Sequence, residues 1–526
     1  MRFFKRMGLR VAVFLTLTLL LVHGPRLAAQ FSNYTGTVDY GVRVENREVV
    51  LFPFDNYAIP FRSGLQLEMV AARAEANPVL RRGEPGQPDS VGVAFYGTII
   101  PIGNQLRMWY LCAGDQEKAF GFTWLRDTKW NVCYAVSTDG VNWEKPKLGL
   151  VSYGGNTQNN LVALKPTGSE VWQCLVIYEP DDPNPDRRFK MIYENRDVGD
   201  VDASDSAAYS GDGLSWTNSP LNPVIKRSFE PSGIVKYNGL YYVAGHGTGF
   251  KKRLLVVHAS ADFEHWTEAV SLGFRRDNIG PLRPPIPGWQ TDEQIHLGAS
   301  LWDRGNVILG FYGQWHGPTL ESEDRRDMRM DIGLLVSHDA LHYTEPIPGF
   351  KIIRAADARF PVAEFRARLV QGQSFVNLGE QTLTWYSFWG PGGADGVRLA
   401  AWPRDRFGYY SVPRLATEGQ DPQKKVAPHF ISCPIRLDKA ETKVYLNVGE
   451  LGEHSRVTVE VLDEKFQGIA GLSGADSIPL TSSGLHEQVK WRNRARLGRF
   501  NHPVRLRVNF GGLQLEHARV YAVYLQ

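Results

Sequence analysis

Four runs along the chain share one design: YAVSTDGVNW (134–143), AYSGDGLSW (208–216), VHASADFEHW (257–266) and LVSHDALHY (335–343), each a strand-like stretch ending in a turn and an aromatic residue. The Ser-x-Asp turn has a physical basis, since an Asp carboxylate can accept from backbone amides two residues on and a following Gly tolerates positive φ. The aromatic then opens the next strand. Ahead of the copies lie apolar-aromatic runs, LRMWYLC (106–112), FKMIYEN (189–195), LYYVAGHG (240–247), VILGFYGQW (307–315) and LTWYSFWG (383–390), with a degenerate fifth turn copy in LAAWPRDRFGYY (399–410). From Trp143 the aromatic recurs after 73, 50 and 77 residues at Trp216, Trp266 and Tyr343, spacings that leave room for long inter-strand loops. Five alternating pairs predict five four-stranded blades between about residues 40 and 415, an arrangement that hides sheet edges by radial closure and leaves a central funnel. Within it, the turn aspartates Asp139 and Asp212 read as folding devices.

The texture changes after residue 415. The stretch ATEGQDPQKKVAP (416–428) is polar, charged and proline-bearing, as a linker is. Beyond it, period-two runs at KVYLNV (443–448), RVTVEVLD (456–463), QVKW (488–491), VRLRVNF (504–510) and RVYAVYL (519–525) describe a compact β-sandwich. The expected architecture is therefore all-β: a leader over 1–29, a five-bladed propeller over 30–415, a linker over 416–428 and an accessory sandwich over 429–526. A content of 52 Gly and 31 Pro with 12% aromatic residues fits many short strands joined by turns.

The first thirty residues combine a basic start (MRFFKR), an apolar run (VAVFLTLTLLLV) and a small-residue exit (RLAAQ), the pattern of a secretory signal peptide cleaved after Ala29. The mature chain is expected to be secreted or periplasmic, with no membrane attachment once the leader is gone. The leader carries five basic residues (Arg2, Lys5, Arg6, Arg10 and Arg26) and no acid, so its removal turns the formal charge from +3 to −2. No basic stripe then remains to serve a nucleic acid. Export permits disulfides. Of the four cysteines, Cys112 and Cys133 fall on runs read as neighbouring strands and could pair, the alternative being two buried thiols.

In a propeller the inner strand of each blade begins near the axis, so residues at those starts converge however distant in sequence. This selects Asp89 for blade one, Asn159 and Asn160 ahead of blade two, Glu230 opening blade three, Asp292, Glu293 and His296 for blade four, and Gln371 and Gln373 for blade five. Glycoside cleavage needs two carboxylates, one protonated towards the leaving oxygen and one ionised as nucleophile or base. Asp89, Glu230 and Glu293 are the catalytic candidates. Asn159, Asn160, His246, Asp292, His296, Trp315, Gln371 and Trp389 are the candidates for holding a sugar. Glu293-x-x-His296 resembles a di-metal motif that works on helices, whereas its surroundings read as strand; neither a metal nor any other cofactor is expected. GHGTG (245–249) follows a strand without a helix to receive phosphate, so it reads as a close turn rather than a nucleotide loop.

The segments RMWYLC, CYAVSTDGVNWEKPKLGLVSYGGNTQNNLV, QIHLGASLWDRGNVILGFYGQWHG and the VEVLD of the sandwich resemble the glycoside hydrolase family 32, 43 and 68 superfamily, especially family 32-like proteins of environmental bacteria. The resemblance spans almost all the mature chain. It implies a five-bladed propeller with a sandwich, a catalytic Asp at the start of blade one that falls on Asp89, and an acid Glu in blade three that falls on Glu230. The supporting Asp of blade two has no counterpart, and Glu293 is the candidate to take that role from blade four. The invertase signature Trp-Met-Asn-Asp-Pro-Asn-Gly is absent around Asp89, as are Arg-Asp-Pro in blade two and Glu-Cys at the acid.

The expectation is an exported glycosidase acting on an oligo- or polysaccharide, with Glu230 as acid, Asp89 as nucleophile or base and Glu293 assisting. The rival is a glycan-binding propeller without chemistry, since fold does not fix function. A sialidase would want an arginine triad and a tyrosine nucleophile in six blades, against which the count of five stands.

Overall fold

Each Ser-x-Asp turn closes by the same bonds. In the first copy the Ser137 hydroxyl accepts from the Asp139 and Gly140 amides, and the Asp139 carboxylate accepts from the Val141 and Asn142 amides. Ser210–Asp212, Ser260–Asp262 and Ser337–Asp339 repeat the pattern. The aromatic that follows donates back into the turn, Trp143 to the Gly140 carbonyl and Trp216 to that of Gly213. Neighbouring blades use the same acceptors, for Trp385 also reaches Gly140 and Trp109 also reaches Gly213. One motif thus ends a blade and pins it to the next.

The structure is a computed structural model that describes residues 40–45, 47–115, 129–196, 204–226, 229–247, 253–276, 293–317, 328–358, 361, 366–390, 393–414 and 426–526. The leader, residues 416–425 of the linker and the candidate Asp292 lie outside the described residues.

Blade one is built from Gly92–Ile102, Gln105–Ala113 and Asn131–Ser137; blade two from Glu170–Tyr178, Phe189–Arg196, Ser204–Ser210 and Thr217–Asn218; blade three from Phe229–Tyr237, Leu240–Gly247, Leu254–Ser260 and Ser271–Phe274. Blade four comprises Gln294–Asp303, Ile308–His316 and Arg329–Ser337. Blade five takes Leu369–Gln371 and Val376–Leu378 as a broken inner strand, then Gln381–Phe388 and Gly396–Pro403. The first strand of each blade contacts the first strand of the next, from one through five and back to one. The fold is a five-bladed β-propeller.

Closure comes from sequence that precedes blade one. Arg73–Ala74 and Leu80–Arg81 pair with Gly396–Pro403 as the outer edge of blade five, so the last blade is completed by the start of the chain. The strands before them depart from the expected boundaries. Residues 42–69 were expected in the propeller, but Val49–Leu51 pairs with Arg519–Leu525, Phe61–Ser63 with His429–Ile431, and Gln66–Met69 with Gly408–Ser411. They join two sheets whose facing aliphatic residues, Val444, Leu446 and Val448 on one side and Val457, Val459 and Val461 on the other, share one core. The physical reason is that these strands are short and hold no copy of the repeat, so nothing local names their distant partners.

Cys112 and Cys133, on adjacent strands of blade one, form a disulfide, while Cys174 and Cys433 are buried thiols.

Candidate functional site at the propeller axis

The inner strands share an irregularity. Register slips between Ala94 and Thr98 in blade one, Val171 and Cys174 in blade two, Pro231 and Gly233 in blade three, and His296 and Ala299 in blade four. In blade five the strand breaks at Gly372, between Leu369–Gln371 and Gln373–Ser374. The slip is two residues in blades one and four and one residue in blades two and three, and such a bulge bends the strand and re-aims the side chains beyond it. Five such breaks round one axis bring Tyr96, Gln173, Pro231, Ser232, Leu297 and Gln371 together around a narrow gap. Below it Gln373 pins two blades together, its amide bonding the Leu301 amide and carbonyl at 2.8 and 2.6 Å and the Ile234 carbonyl at 3.1 Å.

Glycine makes this closeness possible. A Cβ on Gly233 would lie 2.2 Å from the Ala299 carbonyl oxygen, and one on Gly298, whose φ is +66°, would lie 2.6 Å from the Gly245 Cα.

At the strand starts, one group of expected residues does converge. Glu230 stands opposite His246 in the ladder of blade three, with Oε2 3.5 Å from Nδ1. The His246 ring lies 6.2 Å from that of His296, which is 5.5 Å from Trp315 and 5.4 Å from Trp389. Gln371 joins this level by donating to the Gly298 carbonyl. Five of the candidates, Glu230, His246, His296, Trp315 and Trp389, thus form one continuous cluster from three blades.

The structure adds residues that sequence reading missed. Arg253 lies over the Trp315 ring at 4.7 Å and Arg368 over the Trp389 ring at 5.2 Å. Burial, together with the charges of Arg253, His246 and Arg368, drives His296 well below its ordinary pKa, so its imidazole is neutral. The phenol of Tyr96 is pushed far up by burial and by the charge of Glu230, so it stays protonated. Glu194, buried at the end of blade two's second strand, acts on the same phenol. One signal existed for Glu194. The ends of the second strands in the repeat carry Glu194, His246, His316 and Trp389, polar or aromatic residues where the strands otherwise run apolar.

Asp89 sits apart from that cluster. It accepts from the Tyr110 hydroxyl at 2.8 Å and pairs with Lys145 at 2.5 Å, while Asn160 donates to the same hydroxyl. Asn159 bonds the Val151 and Asn156 carbonyls, tying its own loop. Asp89 and Asn160 thus meet at one phenol in blade one, while Asn159 is bound within its own loop.

Glu293 belongs to a third arrangement. It pairs with Arg276 at 2.6 Å and with His316 at 2.8 Å; the other nitrogen of His316 stands 2.9 Å from Asp331, which also pairs with Lys351 at 3.0 Å. Burial by itself would raise both carboxyls, but the His316 and Arg276 contacts hold Glu293 below the usual range, and His316, the Ala355 amide and Lys351 hold Asp331 at about 2. Burial would lower His316, and its two carboxylate neighbours raise it instead. Exposure separates the three catalytic candidates: side chains of Asp89, Glu293 and Glu230 are 1%, 9% and 23% exposed. Glu230 is the most exposed of the three.

No protein-family model matches the chain, and no curated protein matches it. Solved structures similar to it include one described as a GH130 mannoside phosphorylase family glycoside hydrolase that targets β-1,2 mannosidic linkages in Candida mannan, at 12% identity over 64% of this chain and 95% of that one, with a TM-score of 0.43. A glycosyl hydrolase from Bacteroides ovatus is 14% identical over 64% of this chain and 94% of that one, at 0.43. The Bombyx mori GH32 β-fructofuranosidase is 10% identical over 86% and 94%, at 0.40. Likeness at this level assigns no residue of the site.

Among the described residues, no group of three or more His, Cys, Asp or Glu could hold a metal ion, and no helix is long and apolar enough to cross a membrane.

Proposed function

We propose that this chain is an exported glycan-processing enzyme, a glycoside hydrolase that cleaves an oligo- or polysaccharide at the mouth of the propeller axis with Glu230 as the general acid. The observation that carries the reading is the position of Glu230: a partly exposed carboxylate on an inner-strand start, against His246 and next in sequence to Pro231, where residues of all five inner strands meet. A glycosidic oxygen protonated there leaves as an alcohol, and a second carboxylate on the far side of the sugar completes the reaction as nucleophile or as base for water. Asp89 is the partner that the sequence nominates, and to act it must exchange its Lys145 contact for substrate. Glu293 has the harder path, since Arg276 and His316 both hold it. Glu194, which shares the field of Tyr96 with Glu230, is a further candidate. The half-buried Trp389 offers a ring edge and face for the apolar side of a sugar.

The test is Glu230→Gln assayed with aryl glycosides and with plant and algal glycans. Loss of at least a hundredfold in kcat, with glycan binding retained, is the expected result, in keeping with the size of general acid catalysis. Undiminished turnover of a cleaved substrate refutes the assignment. Tight binding by the unaltered protein with no sugar released, with or without added phosphate, replaces the enzyme by a glycan-binding propeller.

A further inference from the structure

Two phenylalanines hold the left-handed backbone conformation that residues with a Cβ disfavour. Phe263, at φ +72°, takes the place of glycine in the Ser-x-Asp turn of blade three; it is fully buried, and packing against Tyr209, Tyr241 and Trp266 offsets the strain. Phe466, at φ +60°, has no such compensation, because its side chain is 42% exposed on the surface of the sandwich. The turn that carries it is closed by Asp463, whose carboxylate accepts from the Lys465 and Gln467 amides and whose carbonyl accepts from the Phe466 amide. Glycine would serve that position with less strain, so the ring itself needs a reason. Phe61 supplies a second ring from a distant strand, 45% exposed, with its centroid 5.5 Å away and its plane at 83°. The Arg505 guanidinium covers both, at 4.6 Å from Phe466 and 5.7 Å from Phe61. It gives one N–H to the Ser432 carbonyl at 3.0 Å, and its other N–H groups are neither buried nor bonded among the described residues.

We propose that this corner of the sandwich is a second glycan-binding site, in which a saccharide ring lies against Phe466 and Phe61 and its oxygens accept from Arg505. The proposal draws on the glycan reading above for the chemistry of its ligand and goes beyond it by giving the sandwich a site of its own. Aromatic faces are electron-rich and attract C–H bonds, while a guanidinium offers donors alone, which hydroxyl and ring oxygens accept. Size favours a sugar over a protein. At these exposures the two side chains present together roughly 200 Å² of apolar surface, against the about 800 Å² that each partner buries in a stable protein complex. A second contact with one polymer also raises the effective concentration of that polymer at the propeller.

The experiment is affinity electrophoresis of the full chain through gels containing xylan, laminarin, pectin or alginate, with Phe466→Gly as the deciding variant. Glycine relieves the positive φ, so this variant should unfold at a urea midpoint no lower than the parent's. At least one polysaccharide should retard the parent, and for it the dissociation constants of Phe466→Gly and Phe61→Ala should each rise about tenfold or more. Turnover of any aryl glycoside that the parent cleaves should stay within about twofold in both variants. Equal retardation of parent and Phe466→Gly, or a parent retarded by none of the four, overturns the proposal. A midpoint clearly below the parent's assigns the ring to packing and overturns it as well. Self-association of the parent in sedimentation velocity, abolished in Phe466→Gly, would make the corner a contact between copies of this chain and refute the glycan site. Turnover by Glu230→Gln is a separate readout, since it judges the acid at the axis while the retardation of Phe466→Gly judges the corner.

Discussion

Asp331→Asn isolates the ion network that holds Glu293. Asn has the shape of the protonated acid, so the variant should match the acid limit of the unaltered protein in this respect. Asp331 is buried and its carboxyl is held at about 2 against an ordinary 3.8. A depressed carboxyl stabilises the fold above its unfolded pKa and loses that contribution as pH falls through the folded value. The difference corresponds to about 2 kcal/mol at pH 7, of which roughly half remains at pH 3 and little at pH 2. Urea unfolding of both proteins at pH 7 and at pH 3 measures it, as a deficit in the variant that shrinks on acidification. His316 provides the matching sign. Its pKa is raised by Asp331 and Glu293, so its contribution is present below the ordinary imidazole value and fades as pH rises through the raised one. Removing Asp331 should move the His316 titration, followed by NMR, downward. A variant as stable as the parent at pH 7, or a deficit equal at pH 3 and pH 7, would show that the network does not hold the charges as described.

Two further outcomes concern the axis. Gly298→Ala should cost about 2–5 kcal/mol, because a Cβ at positive φ must also displace the Gly245 backbone; a urea midpoint equal to the parent's refutes the close approach of blades three and four. Gln373→Ala removes bonds to the backbones of two blades and should cost about 2–4 kcal/mol by the same measurement, whereas a loss under about 0.5 kcal/mol would deny its pinning role.

The propeller was legible because its signals are local. A Ser-x-Asp turn closes on its own amides within four residues, and period-two runs state their strand character whatever packs on them, so the five repeats and the later sandwich strands stand out unaided. The candidate site was legible by half. Glu230, His246, His296, Trp315 and Trp389 converge because strand starts and second-strand ends of neighbouring blades share one level. Asp89 and Glu293 also stand ahead of inner strands, but Lys145 in one case and Arg276 with His316 in the other draw them into networks of their own. Their partners lie 56 residues away for Asp89, and 17 and 23 residues away for Glu293, and no period links them.

The amino-acid order thus determined strands, turns and the number of blades, since these depend on bonds between near neighbours and on alternating burial. Only the tertiary structure decided how the ring closes, by residues 73–81 completing blade five, and that residues 42–69 belong with the sandwich. It alone brought Arg253 and Arg368 onto tryptophans of other strands. A bulge shifts every later side chain of its strand, so what faces the axis depends on five irregularities meeting at one height, a property no single segment of the chain encodes.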